Sequence, residues 1–356
     1  MISGFFSDFL NTSYLAGFLT LVIIYSVFAI GLNVHWGYTG IFNFGVAGFF
    51  AVGAYTSAIL TKQPATGNYM TYIGGYHLPY VVGLLGAGVA CAILAFIIGI
   101  PTLRLREDYL AIASIGVAET LRRVFINEMG LVNGTRGIIG IPQPLHGIVD
   151  QADYKYVYLA IVAVILVIVY VAVERGIRSP WGRVLRAIRE DETTAQASGK
   201  DIFAFKMQAF VLGAFIMGIG GGMYAHYVRA ITPDTFVPMF GTFLIWVMLI
   251  VGGSGNNKGA ILGALAVWLI WDRTGALVSN AQDPRIFYVR NLLIGVLVVA
   301  VLLLRPKGLW GEEKRVSVYS GKEPERGKRA ETEEAAEPLT TSAVTTAEDA
   351  GEGGAT

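Results

Sequence analysis

The feature that most limits what this chain can fold into is a recurrence of apolar runs of about twenty residues, near 14–33, 41–61, 79–100, 109–128, 156–173, 202–223 and 286–304. A bilayer's hydrocarbon core is about 30 Å thick and takes roughly 20 apolar residues per helix. Lipid offers no hydrogen bonds, so each such run must satisfy its own backbone, which selects the α-helix. Two shorter apolar runs, 240–252 and 259–271, flank the breaker-rich VGGSGNNKG. They read either as two tilted or half-length helices or as one re-entrant hairpin, and topology parity is the same for both. The sequence therefore predicts an all-α, polytopic transmembrane helical bundle of about 8–10 spans. Composition agrees: 54% of residues are hydrophobic and 15% charged, too apolar for a soluble domain of this size.

Charge sets the expected orientation. No Lys or Arg precedes Lys62, whereas Arg175, Arg178, Arg183, Arg186, Arg189 and Lys200 crowd the connection 174–201. Arg305, Lys307, Lys314 and Arg315 follow the last span. Basic residues in short loops stay on the cytoplasmic side. That places 174–201, the turn with Arg104 and Arg106, and the C-terminus in the cytoplasm, and it places the N-terminus outside. The N-terminus has no basic n-region, so its apolar run reads as a retained span rather than a cleaved leader. Residues 1–311 read as one transmembrane domain. Residues 312–356, rich in Glu, Ala, Thr and Gly, read as a disordered cytoplasmic tail, either merely solvated or in contact with a partner.

Several chemistries are excluded. Cys91 is the single cysteine, so no internal disulfide forms, and His35, His77, His146 and His226 are too scattered to make a metal pair at helical spacing. Each reads as a satisfied or solvent-facing histidine. There is no phosphate-binding GxxxxGK[ST], no GxSxG and no HExxH, so the chain reads as no enzyme by itself, with no catalytic residues and no metal.

Four features carry mechanism. In GLNVHWGYTGIFNFGVAGFFAVGAYTSAIL, residues 31–60, glycines punctuate an apolar stretch that also holds Asn33, Tyr38 and Asn43. Either small residues give tight helix packing there, or Asn33, Tyr38, Gly40, Asn43 and Gly45 mark an interrupted helix lining a solute path. The second Gly-interrupted segment, 248–270, hints at internal pseudo-symmetry. Glu119 lies eleven positions past Asp108, about 16 Å of helical rise, near the expected bilayer centre. Arg122 and Arg123 sit at i+3 and i+4 from it. The pair is either an internal ion pair or a path-lining gate.

The long connection is the most specific. Ser179 and Pro180 start a helix in which Trp181, Val184, Leu185 and Ile188 form an apolar stripe opposite Arg183, Arg186 and Arg189. Glu190, Asp191 and Glu192 favour the start of a second short helix, TTAQAS, which Gly199 ends. This is either an ordinary basic loop or a lever for a soluble partner.

The string GRVLRAIREDETTAQASGKDIFAFKMQAFVLGAFIMGIGGGMYA resembles the cytoplasmic loop and following helix of branched-chain amino acid ABC permeases of the larger subunit type. GYTGIFNFGVAGFFAVGAYT, RLREDYLAIASIGVAETLRRVFIN, NGTRGIIGIPQP and LRPKGLWG are similar to further motifs of that family, in the same order across residues 25–311. The resemblance implies an importer subunit in a prokaryotic plasma membrane. It also implies a second homologous permease, two cytoplasmic ATP-binding subunits that use ATP-Mg, and an external solute-binding protein. It makes the short helix near Glu190 to Gly199 the coupling helix, with Gly182, Arg186, Arg189, Glu190, Asp191, Glu192, Ala195 and Gly199 at the ATPase contact. Val46 stands where the family commonly has a histidine and Ser198 where it has a methionine. Relatives for urea, short amides or other amino acids share the scaffold and stay open as alternatives. A secondary transporter without an ATPase also stays open, with Glu119 its one candidate ion-coupling group.

Overall fold

The computed structural model describes residues 12–64, 72–145, 149–150, 153–277, 285–305 and 308–311. The tail, 312–356, lies outside them. The helices are α1 Thr12–Leu32, α2 Val46–Thr61, α3 Tyr80–Thr102, α4 Glu107–Asn127, α5 Met129–Val132, α6 Tyr154–Arg178, α7 Pro180–Glu190, α8 Glu192–Ala197, α9 Ile202–Val228, α10 Leu244–Gly252, α11 Asn257–Leu277 and α12 Arg285–Leu304. π-helical turns extend α1 through Asn33–Gly37 and precede α10 at Met239–Phe243. Two short strands, β1 Ile138–Ile139 and β2 Ala230–Ile231, pair antiparallel.

The helical bundle expected from the apolar runs is present. Among the described residues four helices can cross a membrane unaided by length and composition: Thr12–Gly37, Tyr80–Thr102, Tyr154–Arg178 and Ile202–Val228. Between Met239–Gly252 and Asn257–Arg273 the chain bends by 119°. α10 and α11 fold onto each other with Gly252 and Gly263 at the seam, where a Cβ on Gly263 would lie 1.9 Å from the Met248 carbonyl oxygen. These glycines explain why two apolar runs form a bent pair rather than one straight helix.

α1 and α9 are the interior of the bundle. Two buried hydroxyls of α1 bond back along their own helix, Thr20 to Ala16 O at 2.8 Å and Ser26 to Val22 O at 2.7 Å. Such back-bonding lets a hydroxyl sit in an apolar setting at little cost. A Cβ on Gly53 would lie 2.4 Å from Gly218 O, so α2 and α9 meet backbone to backbone. α3 instead turns a face of large apolar residues outward, Ile97 being 60% exposed, which is the surface lipid requires.

Some spans differ from the sequence reading: α4, read as the span 109–128, is not among the four helices that can cross a membrane unaided, and the span read at 41–61 starts later. The run 41–61 is helical only from Val46, because Gly40 (φ +77°) turns the chain and Ile41–Gly45 continue without helical structure. α2 is therefore 16 residues long, about 24 Å of rise, and the remaining depth belongs to unwound backbone.

Candidate functional site

The unwound segment 40–45 is held by side chains that the sequence scatters widely. Asn43 is its staple. Its Oδ1 accepts from Gly45 N at 2.8 Å, its Nδ2 lies 3.0 Å from His35 Nδ1, and its carbonyl oxygen accepts from Trp246 Nε1 at 3.0 Å. His35 Nε2 lies 2.8 Å from Phe210 O, so the imidazole donates there from Nε2 and accepts from Asn43 at Nδ1. Ser114 Oγ accepts from Phe44 N at 2.9 Å, and Thr242 Oγ1 accepts from Ala47 N at 3.0 Å. A non-helical backbone buried at this depth needs such partners, because no water replaces them.

Asn33 joins the two Gly-interrupted segments. Its Oδ1 accepts from Gly255 N at 2.9 Å and its Nδ2 donates to Asn257 Oδ1 at 3.0 Å. Asn257 Nδ2 in turn donates to Glu174 Oε2 at 3.0 Å, and Glu174 Oε1 holds Arg178 Nε at 2.7 Å. The LRPKGLWG motif docks on the same turn: Leu309 N donates to Val251 O and Trp310 N to Gly252 O, both at 2.9 Å. Motifs from four regions of the sequence thus meet at one end of the bundle.

The connection 179–200 lies at that end. Ser179 is the N-cap of α7 and Pro180 its first residue. Leu185 and Ile188 are buried, and Gly182 passes so close to α6 that a Cβ would lie 2.1 Å from Ile177 O. Trp181 Nε1 donates to Gln208 Oε1 of α9 at 2.9 Å. Arg183 is exposed and Arg186 half-buried. Arg189 departs from the sequence reading. It does not lie on the free basic face, but reaches back so that Nη1 donates to Gly37 O while its stem lies against Gly40.

Glu190 ends α7, and Asp191 caps α8, whose bounds, Glu192–Ala197, lie one residue earlier than the TTAQAS reading. Asp191 Oδ1 accepts from Thr193 Oγ1 at 2.6 Å and Thr194 N at 2.9 Å. Those hydrogen bonds hold its carboxyl below the usual carboxylate range. Glu192 pairs with Lys206 of α9. Gly199 (φ +76°) ends the turn in the left-handed conformation that glycine adopts without strain. Ala195 alone in residues 191–200 is buried. α8 is thus a capped helix anchored at one alanine and one ion pair, with its other side chains exposed.

Of the residues the sequence marked as a path, Asn33, Tyr38, Gly40, Asn43 and Gly45 are brought together, and Glu119 is not. Both amides are engaged within the protein, so they position backbone. Behind the segment the cavity bounded by Asn43, Gly45, Ser114 and Phe210 measures about 10 Å³, room for at most one water. On the other side Phe42 and Phe44 are half-buried, alternating with buried Ile41, Asn43 and Gly45. Phe44 stacks on Trp246 with ring centroids 4.6 Å apart and 11° between planes, and Phe243 and Trp36 extend this aromatic wall.

Glu119 makes the intrahelical pair read from its spacing: both oxygens meet Arg122 at 2.8 and 2.9 Å, and Oε1 meets Arg123 Nε at 2.9 Å. It does not sit at the middle of the bundle. Arg122 also reaches Asp234, 3.5 Å away in the exposed turn after β2, so the cluster belongs to the end opposite α8. Among the described residues no group of His, Cys, Asp and Glu is arranged to hold a metal ion. Sequence reasoning missed His35, Ser114, Thr242, Trp246, Asn257 and Glu174 as parts of the site. Only His35, two residues from Asn33, lay close enough in sequence to have been suspected.

Residues 14–302 match the family model described as branched-chain amino acid transport system / permease component. The chain is 31% identical over 314 residues to the high-affinity branched-chain amino acid transport system permease protein LivM of Escherichia coli, covering 82% of this chain and 68% of that one. It is 29% identical to the probable branched-chain amino acid transport permease protein LivM of Methanocaldococcus jannaschii, over 84% of this chain and 96% of the relative. It is 23% identical to the LivH permease protein of Salmonella typhimurium, over 82% and 93% respectively. No solved structure matches the chain.

Proposed function

The chain belongs to the family of branched-chain amino acid transport system permease components, and from that premise we propose that it is the membrane-spanning subunit of an ABC importer that passes branched-chain amino acids inward and takes its driving force from separate ATPases. The observation that carries the coupling half of this reading is the continuous contact from α8 through α7 to the unwound segment, ending in Arg189 on Gly37 O. α8 presents an exposed surface to a soluble ATP-binding partner. Trp181 ties α7 to α9, and Arg189 ties it to the π-helical turn. Displacement of α8 therefore acts on Gly37–Gly45. π-helical turns are conformationally adjustable, and they recur where helices must change shape.

The aromatic wall of Phe42, Phe44, Phe243 and Trp246 is the side on which a small apolar side chain can pass, since the opposite side is closed. A second, homologous permease supplies the facing wall. That relatives named LivM and LivH both resemble this chain supports two related permeases in one transporter. In this reading two ATP-binding subunits using ATP-Mg dock at Gly182–Gly199 and an external solute-binding protein docks at the β1/β2 end. In the same reading the N-terminus lies outside a prokaryotic plasma membrane and the C-terminus in the cytoplasm, an orientation that the distribution of basic residues supports.

The test is uptake of leucine, isoleucine and valine into proteoliposomes holding the chain with its second permease, ATPases and binding protein. Uptake is expected only with internal ATP and binding protein both present. Uptake that continues without ATP overturns the ABC assignment. Binding-protein selectivity for urea or short amides over branched-chain amino acids overturns the solute.

A further inference from the structure

The basic end of the bundle holds an open cavity of about 320 Å³ whose two arginines, Arg104 and Arg106, the transport reading does not use. Arg104 and Arg106 come from the turn between α3 and α4, Lys206 from the start of α9, Glu192 from α8, and Gly40 and Ile41 from the unwound segment. Glu192 engages Lys206, whose side chain is only 14% exposed. Arg104 lays its guanidinium over the Phe203 ring, 5.4 Å from its centroid. Among the described residues no carboxylate pairs with Arg104 or Arg106. Among the described side chains, three cations thus line the space against one carboxylate, and two of them are uncommitted to any acid.

A second observation is independent of charge. The outward apolar face of α3 runs through Ile93, Ile97 and Ile100, all exposed, and Arg104 follows Ile100 by four residues and Ile97 by seven. α3 ends at Thr102, so the apolar stripe runs down to the turn just past the helix end, and that turn carries both guanidinium groups. A free anion has no use for the stripe, and a neutral lipid has none for the cations. One ligand uses both.

We propose that this cavity binds the phosphate of an anionic phospholipid whose acyl chains lie along α3. Arg104 and Arg106 take the phosphate oxygens by the forked donation that suits guanidinium groups. Lys206 faces the same space, so a bound phosphate and Glu192 compete for one ammonium, which places the lipid beside the attachment of α8.

Native mass spectrometry of the full chain in detergent, titrated in turn with phosphatidylglycerol, phosphatidylcholine and inorganic phosphate, tests this. Phosphatidylglycerol is expected to bind roughly tenfold more tightly than phosphatidylcholine at low salt, on the scale of one to two added cation contacts at a membrane surface. Arg104→Ala with Arg106→Ala should abolish the preference. Arg104→Lys with Arg106→Lys should keep most of it, and Arg183→Ala on exposed α7 should not change it. Equal binding of the two lipids overturns the proposal, as does a preference that survives the double alanine change. Inorganic phosphate that competes as well as the lipid, molecule for molecule, overturns the lipid assignment in favour of a simple anion site. Loss of the preference in the lysine pair as well as the alanine pair, with thermal transitions lowered in both, shows a structural role and also overturns it. None of these readouts involves ATP or solute, so failure here leaves the transport reading standing.

Discussion

Arg189, the penultimate residue of α7, donates from Nη1 to the carbonyl oxygen of Gly37, the last residue of the π-helical turn that closes α1. The two are 152 positions apart, and their contact joins the exposed connection to the buried unwound segment. Replacing Arg189 by Ala removes the contact while leaving Asp191, Glu192 and Ala195 of α8 in place. The expected result is a fall of about tenfold or more in ATP-driven uptake, the order of one lost charge-assisted hydrogen bond, with assembly intact. Measured in proteoliposomes, uptake at the unaltered rate would show that motion reaches the path by another route. Arg189→Lys, which keeps charge but loses the planar fork, is expected to fall between the two.

Asn33 and Asn257 are both buried and bonded to each other at 3.0 Å. Asn33→Ala leaves Asn257 Oδ1 and Gly255 N without their partner and should cost about 1–3 kcal/mol of stability. Because Asn257→Ala removes the same bond, the pair should be non-additive in a double-mutant cycle read by thermal unfolding. Additivity to within about 0.5 kcal/mol would mean that the bond contributes nothing of its own.

The helices were legible because lipid leaves a span of apolar residues one conformation, so the length of an apolar run states the element. The ends of the connection helices were legible for local reasons, Pro180 at a first turn, Asp191 at a cap and Gly199 at φ +76°. The start of α2 was legible only as one of two readings: Gly40, Asn43 and Gly45 suggested an interruption, but Ile41, Phe42 and Phe44 are as apolar as any helix. Gly40 turns the chain, and what holds 41–45 unwound beyond it is a set of distant partners, Ser114, Thr242 and Trp246, whose proximity no local pattern encodes. Arg189 was misread for a related reason. Helical periodicity places it on a basic face, but its long side chain reaches a carbonyl that the π-helical turn exposes.

Glycines in this chain separate into those that hold helices together and those that do not. A Cβ on Gly53 would lie 2.4 Å from Gly218 O, whereas nothing lies within 4 Å of one on Gly116 in α4. Gly53→Ala should therefore force α2 away from α9 at a cost of about 1–3 kcal/mol. Gly116→Ala should be neutral or stabilising by up to about 1 kcal/mol, the helix-propensity difference. Thermal unfolding in detergent compares the two directly. Equal costs would show that α2 and α9 do not meet as closely as described.

Asp191 caps α8 through Thr193 Oγ1 and Thr194 N, and those bonds hold its carboxyl below the ordinary value of 3.8. A depressed carboxyl contributes stability that is fully present once pH exceeds the unfolded group's value and is lost as pH falls through the folded one. α8 should thus keep constant amide protection from about pH 5 to pH 8, because both forms are ionised throughout that range. Protection should fall only below the ordinary carboxylate range. Asp191→Asn retains an acceptor oxygen and should preserve the helix at all these pH values, whereas Asp191→Ala should expose Thr194 N to exchange already at neutral pH. Hydrogen exchange at residues 192–197, corrected for the intrinsic pH dependence of exchange, measures this. If Asp191→Ala exchanges like the unaltered chain, the cap does not hold α8, and whatever force an ATPase applies there enters through the Glu192 and Lys206 pair and Ala195 instead.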